Sequence, residues 1–408
     1  MSSQTEAIEN FEIRDPLMGK KEEQFVKKDM DYRALVLLAI SHMFNDVNQG
    51  SVPALLPSLV ITRGLSYTAA AGVVLAATLI SSLIQPFLGF YSDRHPLPWL
   101  MPVGVLIGGL GIALAGLAPS YWLIVASVLL SGAGVAAFHP EGSRFANYVS
   151  GQRATGMSYF TVGGTVGFAL GPILVTPLIL NFGLPGTLLM ALPTTVTALW
   201  LMRELPHLVK FRPPVSESRS EASESRTPWG PFARLTAVIV LRTSVFFGLM
   251  SFIPLYYVKV RGASIAEANS ALTVMLISGA VGAVIGGYIG DRIGLKSVLV
   301  GTLAAIPLLL LGFMAAPGIL GLVCLGLVGV NTTASSTVSV VMGQGYLRSH
   351  IGVASGVTLG LAIGLGGVAV PLFGFIADHW NLGTALYSMT VFPVLALGVA
   401  QTLPPGYE

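Results

Sequence analysis

The sequence predicts an all-α integral membrane protein: twelve transmembrane helices in two pseudo-symmetric six-helix bundles. Three observations predict it. Of 408 residues, 53% are hydrophobic and only 10% are charged, against about 25% charged in a soluble domain. Twelve apolar segments are long enough to span a bilayer. The second half of the chain repeats motifs of the first at a nearly constant offset.

Residues 1–31 carry Glu, Asp and Lys without an apolar segment and read as a cytoplasmic N-terminal tail, with no cleavable signal peptide. The spans follow at roughly 33–61, 66–91, 98–118, 121–141, 154–180 and 184–203, an N-terminal bundle over 32–203. Residues 204–232 contain Ser216-Glu217-Ser218-Arg219-Ser220-Glu221 between Pro213-Pro214 and Pro228, a polar stretch that cannot bury a core and reads as a cytoplasmic linker. Six more spans, near 234–258, 265–290, 296–316, 318–343, 350–376 and 382–403, make a C-terminal bundle over 233–408. With the N-terminus inside, Arg63, Lys259 and Arg261 fall outside and Arg242 lies within a span. The rest of the 22 Lys and Arg fall inside. That bias places both termini in the cytoplasm. The single cysteine, Cys324, excludes a disulfide framework.

The repeat appears at three places. Arg63-Gly64-Leu65-Ser66 answers Arg261-Gly262-Ala263-Ser264 at an offset of 198, and Gly89-Phe90-Tyr91-Ser92-Asp93-Arg94 answers Gly287-Tyr288-Ile289-Gly290-Asp291-Arg292 at the same offset. Ala154-Thr155-Gly156 answers Ala354-Ser355-Gly356 at 200. Six helices per half give both copies the same orientation, with a ligand site expected between them near the midplane.

The first span carries His42, Asn45, Asp46 and Gln49, spaced i, i+3, i+4, i+7 and therefore on one helix face. Asp46 lies roughly 20 Å along from Arg33, deep in a hydrocarbon layer of about 30 Å. An ionisable group there must face a partner or a polar cavity. A polar seam between packed helices is the plainer reading, but four polar groups exceed what a helix contact needs. Arg242 is the one basic residue deep in a span. It aligns with Phe44 at the 198 offset, which makes Asp46 and Arg242 candidate partners across a cavity; snorkelling to the surface is the alternative.

Phe138-His139-Pro140-Glu141-Gly142-Ser143-Arg144 ends the fourth span. Glu141 is a proton carrier or, paired with Arg144, part of a cytoplasmic gate. His139-x-Glu141 is similar to half of a zinc-deaminase signature, but the Pro-Cys-x-x-Cys partner is absent, so no metal site is expected. An enzyme is not expected either, since Ser41 and His42 are adjacent and point apart on a helix. His207, His350, Asp378 and His379 sit at helix ends or loops and read as solvated.

Gly89, Asp93 and Arg94, with Gly287, Asp291 and Arg292, sit at cytoplasmic helix ends, where the charges can pair and gate that side. With twelve spans and a 6+6 repeat, they resemble the signature loop of the major facilitator superfamily. Gly163, Gly164, Gly167, Gly171 and Pro172 resemble the fifth-helix motif of its antiporters, answered in the eleventh span by Gly360, Gly364, Gly367 and Pro371. The stripe, Tyr91-Ser92-Asp93-Arg94-His95-Pro96, Phe138-His139-Pro140-Glu141 and Val162-Gly163-Gly164 together resemble the fosmidomycin-resistance family within that superfamily. Thr161 and Thr165 stand where that family would carry Gln and Asn.

The resemblance implies a proton-coupled antiporter of the bacterial inner membrane that exports a small anionic or phosphonate-like compound by alternating access. Asn45, Gln49, Arg242 and His139 are then the substrate-binding candidates. Asp46, His42 and Glu141 are the proton-coupling ones. The expected partners are the anionic substrate, protons and the bilayer, with no nucleic acid, no cofactor beyond the proton gradient, and a monomeric state. The alternatives are an uptake symporter of a small organic anion and a non-transporting sensor or scaffold.

Overall fold

The computed structural model describes residues 30–95, 97–150, 154–211, 228–347 and 351–404, and among these the regular elements are helical. The first half contains α1 (Tyr32–Arg63), α2 (Tyr67–Arg94), α3 (Leu100–Ala115), α4 (Tyr121–Val149) and α5 (Ala154–Phe182). A 3-10 turn, Leu184–Met190, leads into α6 (Ala191–Val209). The second half contains α7 (Trp229–Lys259), α8 (Ile265–Ile293), α9 (Leu295–Ala315) and α10 (Gly318–Tyr346).

The last two expected spans are broken. The eleventh is α11 (Ile351–Gly356), a π turn (Val357–Leu361), α12 (Ala362–Gly367) and α13 (Val370–His379). Pro371 has no N–H to return to Gly367, so the helix parts at Val368–Ala369. The twelfth divides at Thr390 into α14 (Leu382–Met389) and α15 (Val391–Gln401). Pro172 and Pro177, by contrast, sit inside an unbroken α5.

Among the described residues, 9 helices are long and apolar enough to cross a membrane. α1 has 32 residues, ample length, but its polar stripe keeps it out of that set, and α3 has 16. Large side chains such as Phe87, Trp122, Val284 and Ile319 are exposed outward, as lipid-facing surface requires.

The linker expected at 204–232 is shorter at both edges. α6 continues to Val209 and α7 starts at Trp229. The end of α6 is tied to the start of α1 by Arg33–Glu204 at 2.7 Å and His207–Asp31 at 2.8 Å. His207 is therefore a partner of Asp31 rather than a solvated group. Asp31 also caps α1, accepting the Ala34 N–H at 3.0 Å. The expected tail over 1–29, residues 212–227 and His350 lie outside the described residues.

The two halves repeat each other in packing as well as in sequence. α2 and α3 lie on α4, and α8 and α9 lie on α10; α1 runs along α5, as α7 runs along α12. Gly64 and Gly262 both take positive φ, 63° and 66°, a conformation that favours glycine. Two residues on, Ser66 and Ser264 both cap the next helix. α1 and α7 are largely buried long helices, and they carry Asp46 and Arg242.

The halves meet at the end that carries these two turns. Asp378 at the end of α13 accepts the Tyr67 and Thr68 N–H groups at 2.7 and 2.8 Å, and the Thr68 hydroxyl at 2.6 Å. Asn269 of α8 donates to Thr176 Oγ1 at 2.8 Å and to the Ala54 carbonyl at 3.2 Å. Asp378 is thus a clasp across the halves, not merely a solvated loop residue. These hydrogen bonds join the two halves.

Candidate functional site

The polar stripe of α1 folds inward because its opposite face carries the apolar side chains. Glycines on α5 let the two backbones approach. A Cβ on Gly163 would lie 2.2 Å from the Ala39 carbonyl oxygen, and one on Gly167 would lie 2.1 Å from that of Met43. Gly164 faces the stripe itself: a Cβ there would lie 2.4 Å from His42 Cε1 and 2.9 Å from Asp46 Oδ2. Gly171 and Pro172 are buried one turn further along.

Asp46 is held by two histidines. His42 Nε2 lies 3.2 Å from Oδ2, and His139 Nε2 lies 3.3 Å from Oδ1. The two Nε2 atoms are 3.2 Å apart. Each ring's Nδ1 faces a backbone carbonyl, Phe160 O for His42 and Val135 O for His139, both at 2.8 Å. A carbonyl only accepts, so each Nδ1 carries a hydrogen. The facing Nε2 atoms and the carboxylate are then all acceptors unless something positive sits among them. The His42 ring stacks on Phe160, 4.1 Å between centroids. Asn45 donates to Asp46 Oδ1 at 3.0 Å, while its own Oδ1 is buried without a partner.

The other expected binding residues are elsewhere. Gln49 donates to Ser81 Oγ at 3.2 Å. It lines a void of about 10 Å³ between the halves, with Thr78, Phe168, Phe247 and Met250, room for about one water. Neither Asp46 nor Arg242 borders that void. Nor do the two pair. Arg242 turns toward α10, giving Nη1 to the Thr332 carbonyl at 3.0 Å and Nη2 to Thr243 Oγ1 at 3.0 Å. Its Nε is buried with no partner, and it makes no ion pair among the described residues. The expected Asp46–Arg242 pair fails because histidines within the first half reach the carboxylate first.

Glu141 is fully buried and takes Arg144 Nη1 at 2.6 Å and the Leu97 N–H at 3.3 Å. Arg144 also reaches the Ser92 carbonyl at 2.9 Å and the Ser92 hydroxyl at 3.0 Å. This network ties α2, the α2–α3 turn and α4 together within one half, and it is separate from the Asp46 cluster. Of the expected gate, the side chains of Asp93 and Arg94 lie outside the described residues. Asp291 and Arg292 are exposed and make no ion pair among the described residues; Arg292 lies over the Tyr288 ring at 4.0 Å. A Cβ on Gly89 would lie 4.0 Å from Pro140 Cβ of α4, and one on Gly287 would lie 3.9 Å from Thr337 Cγ2 of α10, nearly equivalent places in the two halves. In the eleventh span, a Cβ on Gly364 would lie 2.5 Å from Ser82 Cβ of α2, across the halves, and Pro371 is half-buried.

Three features were not expected from the sequence. His139 lies 97 residues from His42, and nothing local signals their meeting. Thr332, Ser335 and Ser339 are buried on α10, and the Thr332 carbonyl accepts from Arg242; their i, i+3, i+7 spacing was readable, though not the approach of the guanidinium. Nor was a metal-ligating set expected, yet ligand atoms of His42, Asp46 and His139 all lie within 4.8 Å of one another.

Comparison with known proteins agrees with this architecture. The chain is 30% identical over 386 residues to the MFS-type transporter YfnC of Bacillus subtilis (strain 168), covering 91% of this chain and 93% of YfnC. It is 28% identical over 382 residues to the fosmidomycin resistance protein of Escherichia coli (strain K12), again covering 91% and 93%. The fold matches a bacterial homolog of the human lysosomal transporter Spinster, in its inward-facing and occupied conformation. The TM-score is 0.72 at 17% identity, over 91% of this chain and 96% of that one. The family model described as Major Facilitator Superfamily matches residues 38–371, and with two like-packed helical halves around buried charge, the chain belongs to that superfamily of multi-pass membrane transporters.

Proposed function

We propose that this transporter exports a small anionic, phosphonate-like compound in exchange for protons, by alternating access. The observation that carries the reading is Arg242. It is 5% exposed, lacks a carboxylate partner among the described residues and keeps an unbonded Nε. A guanidinium so placed cannot shed its charge, and it is stabilised by an anion or by water. The Thr332 carbonyl and the Thr243 hydroxyl oxygen accept from its two terminal nitrogens. The fosmidomycin resistance protein's name supports a phosphonate-like cargo.

Proton uptake is assigned to the chamber around His42 and Asp46, with His139 as their neighbour and Asn45 as a donor to the carboxylate. Glu141, clamped by Arg144, holds its own end of the first half. Substrate and proton sites lie in opposite halves, so each senses the other only as the halves rock. Gln49, at the void between them, is placed to meet cargo as that void widens. The Lys and Arg bias puts both termini in the cytoplasm of a bacterial inner membrane, so the end closed by Asp378 and Asn269 faces outward.

Calorimetry with fosmidomycin and simple phosphonates tests the anion site. Arg242→Ala is expected to weaken binding by roughly 30-fold or more, since an unpaired buried charge costs about 2–5 kcal/mol. Unchanged affinity removes the reading. In everted vesicles, Asp46→Asn is expected to abolish proton-driven accumulation, and a normal rate would remove the coupling assignment.

A further inference from the structure

We infer that His42, Asp46 and His139 form a three-ligand site for a divalent transition-metal ion of the Zn²⁺ class, with a fourth position left open. Zn²⁺ binds imidazole nitrogen at about 2.0–2.1 Å and carboxylate oxygen at about 2.0–2.2 Å in a tetrahedron. The edges of that tetrahedron are about 3.3–3.4 Å long, from the same bond lengths. The matching separations are 3.2 Å between the two Nε2 atoms, 3.2 Å from His42 Nε2 to Oδ2 and 3.3 Å from His139 Nε2 to Oδ1, so the two imidazoles face different oxygens of one carboxylate. With one ligand atom from each residue the three lie within 4.8 Å of one another, and an ion among them would take both Nε2 atoms and either both carboxylate oxygens or one of them after the carboxylate turns.

The surroundings are also those of a metal site. A ligating histidine typically donates its other ring N–H to a carbonyl or carboxylate, which fixes the tautomer and aims the lone pair. Both rings do so, to Phe160 O and Val135 O. The carboxylate is oriented in turn by Asn45 Nδ2 at 3.0 Å. Gly164 leaves room: any side chain there would enter the cluster. The open position lies on the side of His139, whose side chain is 26% exposed against 10% for His42 and 13% for Asp46. Two imidazoles and one carboxylate, without thiolate, suit Zn²⁺, Ni²⁺ or Cu²⁺ over Mg²⁺ or Ca²⁺. A shared proton would satisfy the same three acceptors, and the two occupants exclude each other. The site claim goes beyond the transport reading and does not depend on it.

The test is titration of the purified full-length protein in nanodiscs with Zn²⁺ alone, followed by calorimetry, and with Co²⁺, followed by its visible absorption. One saturable ion per chain is expected, with a Co²⁺ spectrum of low coordination number. Asp46→Asn keeps the side chain's shape, and His139→Gln removes one ligand. Loss of an outer-shell group costs about 10–100-fold in metal affinity, so either variant is expected to lose at least about 100-fold. His95→Gln and His379→Gln, at exposed positions, are expected to bind as the parent does. No saturable binding by the parent, or undiminished binding in either ligand variant, overturns the site. The titration uses neither substrate nor gradient, so its failure would leave the anion and coupling tests standing, and theirs would leave it standing.

Discussion

Asp378 offers the most direct handle on the transport cycle. Its carboxylate, at the end of the eleventh span, accepts two free N–H groups from the first turn of α2 and the hydroxyl of Thr68. Anionic caps at helix N-termini contribute about 0.5–2 kcal/mol, with the dipole adding about 0.3–1 kcal/mol at exposed sites. Asp378 is exposed, so the low end applies, about 1 kcal/mol in all. The clasp exists only while this end is shut, so the whole amount acts on the equilibrium between closed and open. At about 1.4 kcal/mol per tenfold, Asp378→Ala shifts that equilibrium roughly fivefold toward the open state. Spin labels on the α1–α2 and α13–α14 turns would report it as a longer-distance population in pulsed EPR. Asn269→Ala, which frees Thr176 and the Ala54 carbonyl, is expected to shift it in the same direction. Distance distributions identical to the parent in Asp378→Ala would refute the assignment of this carboxylate as a clasp.

Two further outcomes follow from close contacts elsewhere. Gly164→Ala places a methyl 2.4 Å from the His42 ring, which is stacked on Phe160 and bonded to its carbonyl and so cannot swing aside; overpacking of this kind costs about 1–3 kcal/mol. A lowered melting temperature and lost proton coupling are expected, whereas Gly301→Ala, with nothing within 4 Å, is expected to be silent; equal behaviour of the two variants would count against the packing account. At Asp31, burial raises the carboxyl, but the Ala34 N–H and His207 outweigh it and hold it below the usual carboxylate value. A depressed folded pKa contributes stability that is present above the unfolded value of about 3.9 and lost as pH falls through the folded one. Asp31→Ala is therefore expected to lower stability by about 1 kcal/mol at neutral pH, with the difference from the parent fading in acid. A difference that grew in acid would contradict the capping role.

Much of the fold was legible because its signals are local. Apolar runs of spanning length, the Gly-x-Ser repeat at Gly64 and Gly262, and the shared face of His42 and Asp46 on α1 need only neighbouring residues. The broken eleventh span was half legible: its glycines and Pro371 are visible, but where the helix parts depends on what presses against it. The expected Asp46–Arg242 pair went wrong for a different reason. Pseudo-symmetry relates α1 to α7 as elements, but it does not say toward which neighbour a side chain turns.

Taken by itself, the order of residues determined that the chain is membrane-embedded, that its halves are copies in like orientation, and that one face of α1 is polar. Only the tertiary structure decided that His139 closes on Asp46, that Arg242 turns into its own half toward Thr332, and that Asp378 seals one end. Helical periodicity assigns residues to faces over a few turns. Which faces meet is decided by how closely backbones approach at glycines such as Gly163, Gly167 and Gly364, between segments far apart in the chain.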